Sequence, residues 1–210
     1  MLRGKTGISA ALVCMAMLAV AGCTQTSGGG TPSPSSGAPA TGNTASSARP
    51  STAGGANTAP AITNPLDVSK FMADPCLSIT SAQAAKLTIS SQGQRLNVDI
   101  GEACDWKYGT NLEFDVGVSY IIPEGGNGLQ NLYNQKAAGQ YDQGYFEPTT
   151  IDGYPAVYEE GSDNRPKGQC SLSVGINEQT FITVLNNGSG NVCGGTEKIA
   201  SAVVETIKRG

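Results

Sequence analysis

Between Thr24 and Thr63 the chain is almost entirely Thr, Ala, Ser, Gly and Pro, which fill 35 of the 40 positions. One charge, Arg49, and one large apolar side chain, Ile62, interrupt the run. Such a stretch cannot bury enough apolar surface to offset the entropy lost on ordering it. It reads as a tether by composition, and it confines any packed core to residues 64–210. As a flexible coil the tether spans roughly 35 Å end to end, and at full stretch on the order of 130 Å.

What precedes the tether reads as a targeting segment. Arg3 and Lys5 form a short basic start, and Ile8 to Val20 is an unbroken run of apolar or small residues. The run has the length of a secretory apolar region and is shorter than the roughly 20 residues a bilayer span needs. It ends in Val20-Ala21-Gly22-Cys23, small residues directly before a cysteine. That arrangement resembles a bacterial lipobox, in which the cysteine thiol takes a diacylglycerol and becomes the first mature residue. Residues 1–22 are therefore expected to be a lipoprotein signal peptide. Residues 23–63 are expected to be the lipidated Cys23 plus the tether. The partner so implied is the membrane, reached through the Cys23 lipid anchor at the extracytoplasmic face.

Residues 64–210 hold all 17 acidic residues and ten of the 13 basic ones, so this part carries −7 where the whole chain carries −4. An acidic domain repels anionic headgroups and nucleic acid alike. The chain has no histidine. That removes Ser-His-Asp triads, Cys-His pairs and His-ligated zinc. No lysine has a serine three positions before it, so the Ser-x-x-Lys nucleophile is absent too. No sequence feature implies a cofactor.

Cys76, Cys104, Cys170 and Cys193 remain in the domain. Four cysteines in an exported domain read as two disulfides, with three pairings open. Cys76–Cys104 and Cys170–Cys193 are favoured because each joins neighbouring parts of the chain. No Cys-x-x-Cys motif is present to suggest a redox pair.

The periodicity is mixed. Thr80 or Ser81 is suited to cap a short helix running to Leu87. Leu112, Phe114, Val116, Val118 and Tyr120 alternate with polar or small residues, as a half-buried strand does. Gly128–Ala138 has helical spacing, and two short runs flank an Asp152-Gly153 hairpin turn. Cys170, Leu172, Val174 and Ile176 share one strand face, and a strand over Thr180–Leu185 follows. A last helix is expected from near Thr196, after a loop holding Cys193. The expected fold is α+β: one domain, a mainly antiparallel sheet in meander order, and short early, middle and C-terminal helices, stapled by two disulfides.

Several motifs resemble a known group. They are Asp74-Pro75-Cys76-Leu77 before a short Ala-rich helix, Cys104-Asp105-Trp106, Ile151-Asp152-Gly153-Tyr154-Pro155-Ala156-Val157, and the late Cys170 and Cys193. Together they are similar to actinobacterial lipoproteins of domain of unknown function 3558. The group's early helix often ends near a glycine, where this chain has Leu87-Thr88-Ile89. The resemblance implies a cell-envelope lipoprotein and carries no catalytic residue. A looser similarity to extracellular sensor domains of mycobacterial receptor kinases favours binding over catalysis.

Candidate sites follow from residue type. Glu159, Glu160 and Asp163, or Glu102 and Asp105, could supply the two carboxylates of a glycosidase. Glu159, Glu160, Asp163 and Asn164 are the best calcium cluster, without the spacing of a calcium loop. Glu124 to Gly128 is a Gly-rich lead into a helix. Trp106, beside Cys104, is expected in the core. Tyr141, Tyr145 and Phe146 lie in a Gly/Gln-rich turn and are the expected exposed contact for an envelope protein or glycan partner. The function expected is a non-catalytic binding, sensing or accessory domain. The alternatives are a carboxylate-dependent envelope glycan hydrolase and a purely structural role.

Overall fold

The computed structural model describes residues 57–98 and 101–210. The signal segment, Cys23 and the tether up to Ala56 lie outside the described residues. The chain runs through α1 (Ser69–Ala73), a 3-10 turn (Pro75–Ser78) and α2 (Ser81–Lys86) into β1 (Gln94–Val98), β2 (Gly101–Tyr108) and β3 (Phe114–Ile121). Helix α3 (Gln130–Ala137) leads to β4 (Tyr145–Ile151), β5 (Tyr154–Glu160), β6 (Gln169–Gly175) and β7 (Phe181–Asn187), and α4 (Val192–Arg209) ends the chain.

The fold is α+β, as the periodicity implies. All seven strands form one antiparallel sheet in the order β1-β2-β3-β7-β6-β5-β4. It is two meanders, β1-β2-β3 and β4 to β7, where one was expected. They join because β7 returns to pair with β3, Val184 opposite Val118. The β3–α3–β4 connection carries β4 to the far edge. Pro148 is tolerated there because an edge strand has one side with no ladder bond to lose. The β4–β5 turn is the expected one, with Asp152 and Gly153 both at positive φ, 49° and 90°.

Strict alternation sends Val116, Val118, Leu172, Val174, Ile182 and Val184 to one face of the sheet, each fully buried. That face packs against Ile199, Val203 and Ile207 of α4 and Phe71 of α1. Each such side chain contributes about 1.5–3 kcal/mol through burial. Trp106 and Cys104 belong to this core. Cys76–Cys104 ties the 3-10 turn to β2, and Cys170–Cys193 ties β6 to the first turn of α4. Both favoured disulfide pairings are therefore present.

Three local boundaries differ from the periodicity. Strand β3 starts at Phe114, because Leu112 turns at φ 58°, its N–H bonded to Gly109 C=O, and its side chain is 49 % exposed. Helix α4 starts at Val192, ahead of the Gly194-Gly195 pair, because Asn191 caps it by accepting the Gly194 N–H at 3.0 Å. Cys193 is thus helical. Helix α2 starts with a Thr80/Gln83 capping box and ends where Thr88 takes φ 57°. Thr88 thus occupies the left-handed position for which glycine is suited.

Among the described residues, the end of the tether-like stretch contacts the domain. The side-chain amide of Gln130 donates to Asn57 C=O at 3.0 Å, and its carbonyl oxygen accepts the Ala59 N–H at 2.9 Å. Ile62 packs against the main core.

Candidate functional site

The second face of the sheet is covered differently. Helix α3 lays Leu132 and Tyr133 on Val157 and Phe181, forming a second, smaller core. Gly128, two residues before this helix, takes φ 49°, and a Cβ there would lie 2.7 Å from the Glu178 carbonyl oxygen. The Gly-rich lead therefore serves close backbone approach and helix initiation. Between α3 and the strands remains a cavity of about 720 Å³. Ile121, Leu132 and Phe181 give it apolar walls. Glu159 and Thr183 line it from the strands, Asn131 and Gln135 from α3, Tyr141 from the turn after α3, and Glu124 from the Gly-rich lead.

Strand register builds the polar floor. Val157 pairs with Ser173, Ser173 with Thr183, and Thr183 with Ser119. Glu159, two residues beyond Val157, shares their face. Its Oε1 accepts hydrogen bonds from Ser173 Oγ at 2.9 Å and Ser171 Oγ at 3.3 Å. Ser173 Oγ lies 2.7 Å from Thr183 Oγ1. With the Ser173 proton committed to Glu159, Thr183 donates to Ser173, so the row forms a directed relay ending on the carboxylate. Glu159 Oε2 accepts no hydrogen bond from a described residue. Burial pushes the Glu159 carboxyl up to about 7, against the lowering effect of the two serine bonds. The α3 side is also hydrogen-bonded: Tyr141 Oη donates to Gln135 Oε1 at 3.0 Å, and Gln135 Nε2 donates to Asn131 Oδ1 at 2.6 Å.

The acidic run separates across the sheet. Glu159 faces the cavity, whereas its neighbour Glu160 is buried and accepts hydrogen bonds from Gln169 Nε2 and, at 3.4 Å, from the Asn164 N–H. Asp163 pairs with Arg165 at 2.8 Å. Adjacent strand residues point to opposite faces, so this cluster does not converge. Among the described residues no three acidic or cysteine side chains are gathered to hold a metal. Glu102 pairs with Arg95, and Asp105 with Lys107 at 3.4 Å.

The aromatic turn is not the exposed patch expected. Tyr141 and Tyr145 are 8 % and 5 % exposed, and Phe146 is half-buried. The reason is that β4 begins at Tyr145, so the turn is shorter than its Gly and Gln content suggests. Phe146 packs edge-on to Tyr133 at 5.0 Å and against Tyr141 at 5.2 Å. Tyr145 lies under the Arg165 guanidinium and accepts the Ser171 N–H at 3.2 Å. Tyr141 still lines the cavity.

Periodicity alone does not single out Ser171, Ser173, Thr183, Asn131 or Gln135. A signal was present: Ser171 and Ser173 alternate with the core residues of β6 and match Glu159 in parity. A polar row on the off-core face of central strands marks a site once something covers it.

Fold and site together define a disulfide-tied α+β domain, with one sheet face packed by helices and the other floored by a hydrogen-bonded carboxyl under a cavity. The family model described as "Protein of unknown function (DUF3558)" matches residues 18–206, and the chain belongs to that family. The match spans every motif on which the resemblance rests. No curated protein and no solved structure matches the chain.

Proposed function

We propose that the protein is a lipid-anchored envelope lipoprotein whose domain binds a small molecule without turning it over. The observation that carries the binding reading is the cavity of about 720 Å³ over the Glu159 floor. Its size lies within the few-hundred to thousand Å³ range of ligand sites, and its make-up of apolar walls with a few convergent polar groups is theirs too. Binding without chemistry is favoured because the adjacent pair Glu159 and Glu160 sits on opposite faces and cannot flank one scissile bond, while Glu124, the other carboxylate lining the cavity, is solvent-exposed. The anchor reading is supported by the basic start, the apolar run and Cys23, and the family match begins at residue 18 and includes Cys23. The tether then sets the domain clear of the headgroups, in keeping with its charge of −7. Among the described residues no helix is long and apolar enough to cross a membrane.

A fragment screen on the purified protein, read by amide shifts, tests the binding reading. Hits are expected to converge on Leu132, Tyr141, Phe181 and Thr183 and to vanish in Asn131→Trp, which fills the cavity from a half-buried position of α3 that lines it. Hits scattered over the surface and indifferent to that variant would refute it. Turnover of envelope glycans that Glu159→Gln abolishes would replace it with the hydrolase reading.

A further inference from the structure

The electrostatics of the cavity narrow what it takes. Two carboxylates, Glu159 and Glu124, line it, and no lysine or arginine does. Glu159 forms no ion pair among the described residues. The cations carried by neighbouring elements are committed elsewhere. Lys136 of α3 lies over the Phe146 ring at 4.8 Å, and Arg165 pairs with Glu147 at 2.9 Å and with Asp163. Both serine hydroxyls converge on Glu159 Oε1, which leaves Oε2 free as an acceptor. A carboxylate removed from water without a cation is costly, and the protein supplies none. Anions are disfavoured by both carboxylates. A neutral ligand leaves the charge uncompensated.

We infer that the cavity takes an organic cation: an apolar body seated on Ile121, Leu132 and Phe181, and an ammonium paired with Glu159. This rests on reading the cavity as a binding site, and it names the class of ligand. An ammonium carries three donors and no acceptor. Glu159 Oε2 takes one, and Thr183 and Gln135, which line the same space, have side-chain oxygens that keep a lone pair for the others. The methylenes of the body replace water against the apolar wall. Of the other titratable groups, Glu124 and Tyr141 line the cavity with Glu159, Tyr133 and Lys136 lie on α3 against Phe146, and Tyr145, Glu147, Tyr154, Tyr158 and Glu160 are those of β4 and β5. Glu159 has the free oxygen at the floor of the cavity, and its raised proton affinity makes protons compete with the ligand cation.

Three probes with one six-carbon body test this: hexylamine, 1-hexanol and hexanoate, titrated at pH 8 and followed by the amides of Leu132, Phe181 and Thr183. Hexylamine is expected to bind about tenfold or more tighter than hexanol, the worth of one charge-assisted hydrogen bond. Hexanoate is expected to be weakest. Glu159→Gln should bring hexylamine down to the affinity of hexanol, and Asn131→Trp should exclude all three. At pH 5.5 hexylamine should weaken in the wild type and stay unchanged in Glu159→Gln. Equal affinity for hexylamine and hexanol, or tighter hexanoate, overturns the cation inference while the binding reading stands. No shift at these amides from any of the three overturns both.

Discussion

Replacing Glu159 by Gln should change how stability depends on pH, in a direction opposite to ordinary carboxylates. Burial raises this carboxyl from its usual 4.5 to about 7, so the folded state holds the proton more tightly than the unfolded chain does. Its contribution is then fully present below pH 4.5 and is lost as pH rises through about 7. Each tenfold in proton affinity is worth about 1.4 kcal/mol, which makes the full span on the order of 3 kcal/mol. Glu159 is partly open to the cavity, and solvent screening brings the expected loss to about 2 kcal/mol. Gln keeps an oxygen to accept the two serine bonds and carries no charge to desolvate. Other carboxylates do not mimic the effect. Asp163 and Asp67 are held low by hydrogen bonds from Arg165 and Ser69 and titrate below this range. Asp105, raised by burial, is common to both proteins and cancels in the difference. Urea unfolding at pH 5, 6, 7 and 8.5 measures it, provided the denaturant slopes agree. Wild type should fall by about 2 kcal/mol relative to Glu159→Gln across that range. A difference constant to within a few tenths of a kcal/mol would show that the carboxyl is not desolvated, and the reading of the cavity floor would fail.

Replacing Cys170 and Cys193 together by Ala should cost roughly 3 kcal/mol by calorimetry, the loop-closure entropy of a bridge spanning 23 residues. Gly128→Ala meets the Glu178 carbonyl oxygen at a positive φ, and should cost more than about 1 kcal/mol and speed amide exchange selectively in Gln130–Ala137. Thr88→Gly relieves a β-branched residue at φ 57° and should stabilise by up to about 1 kcal/mol in the same melts. A loss there would mean that the Thr88 side chain contributes more than its backbone strain removes.

The first sheet face was legible because burial and strand period agree there. Val116, Val118, Leu172 and Val174 announce their side by alternation. The disulfides were legible because each closes a short stretch of chain. The joining of two meanders was not, since the β3–β7 pairing lies between residues far apart in sequence and leaves no local trace. The Leu112 turn failed for a related reason: an apolar residue that fits the alternation still leaves the strand when the backbone turns left-handed. In the candidate site, Glu159, Tyr141 and Glu124 stand out by residue type. Their partners Ser171, Ser173 and Thr183 do not, because serine and threonine on a strand read as solvent-facing until a helix covers them. Tyr145 and Phe146 do not form the exposed patch their Gly/Gln-rich surroundings suggest, since Tyr145 is buried and Phe146 is half-buried against Tyr133 and Tyr141.

The proposed membrane-anchored domain with a ligand-binding cavity is tested most directly by native mass spectrometry of the intact protein extracted from membranes in mild detergent. The wild type should carry a lipid adduct that Cys23→Ala lacks, and a non-covalent small molecule that Asn131→Trp lacks. A wild-type protein of unmodified mass, with no bound species distinguishing it from Asn131→Trp, would contradict both halves of the account.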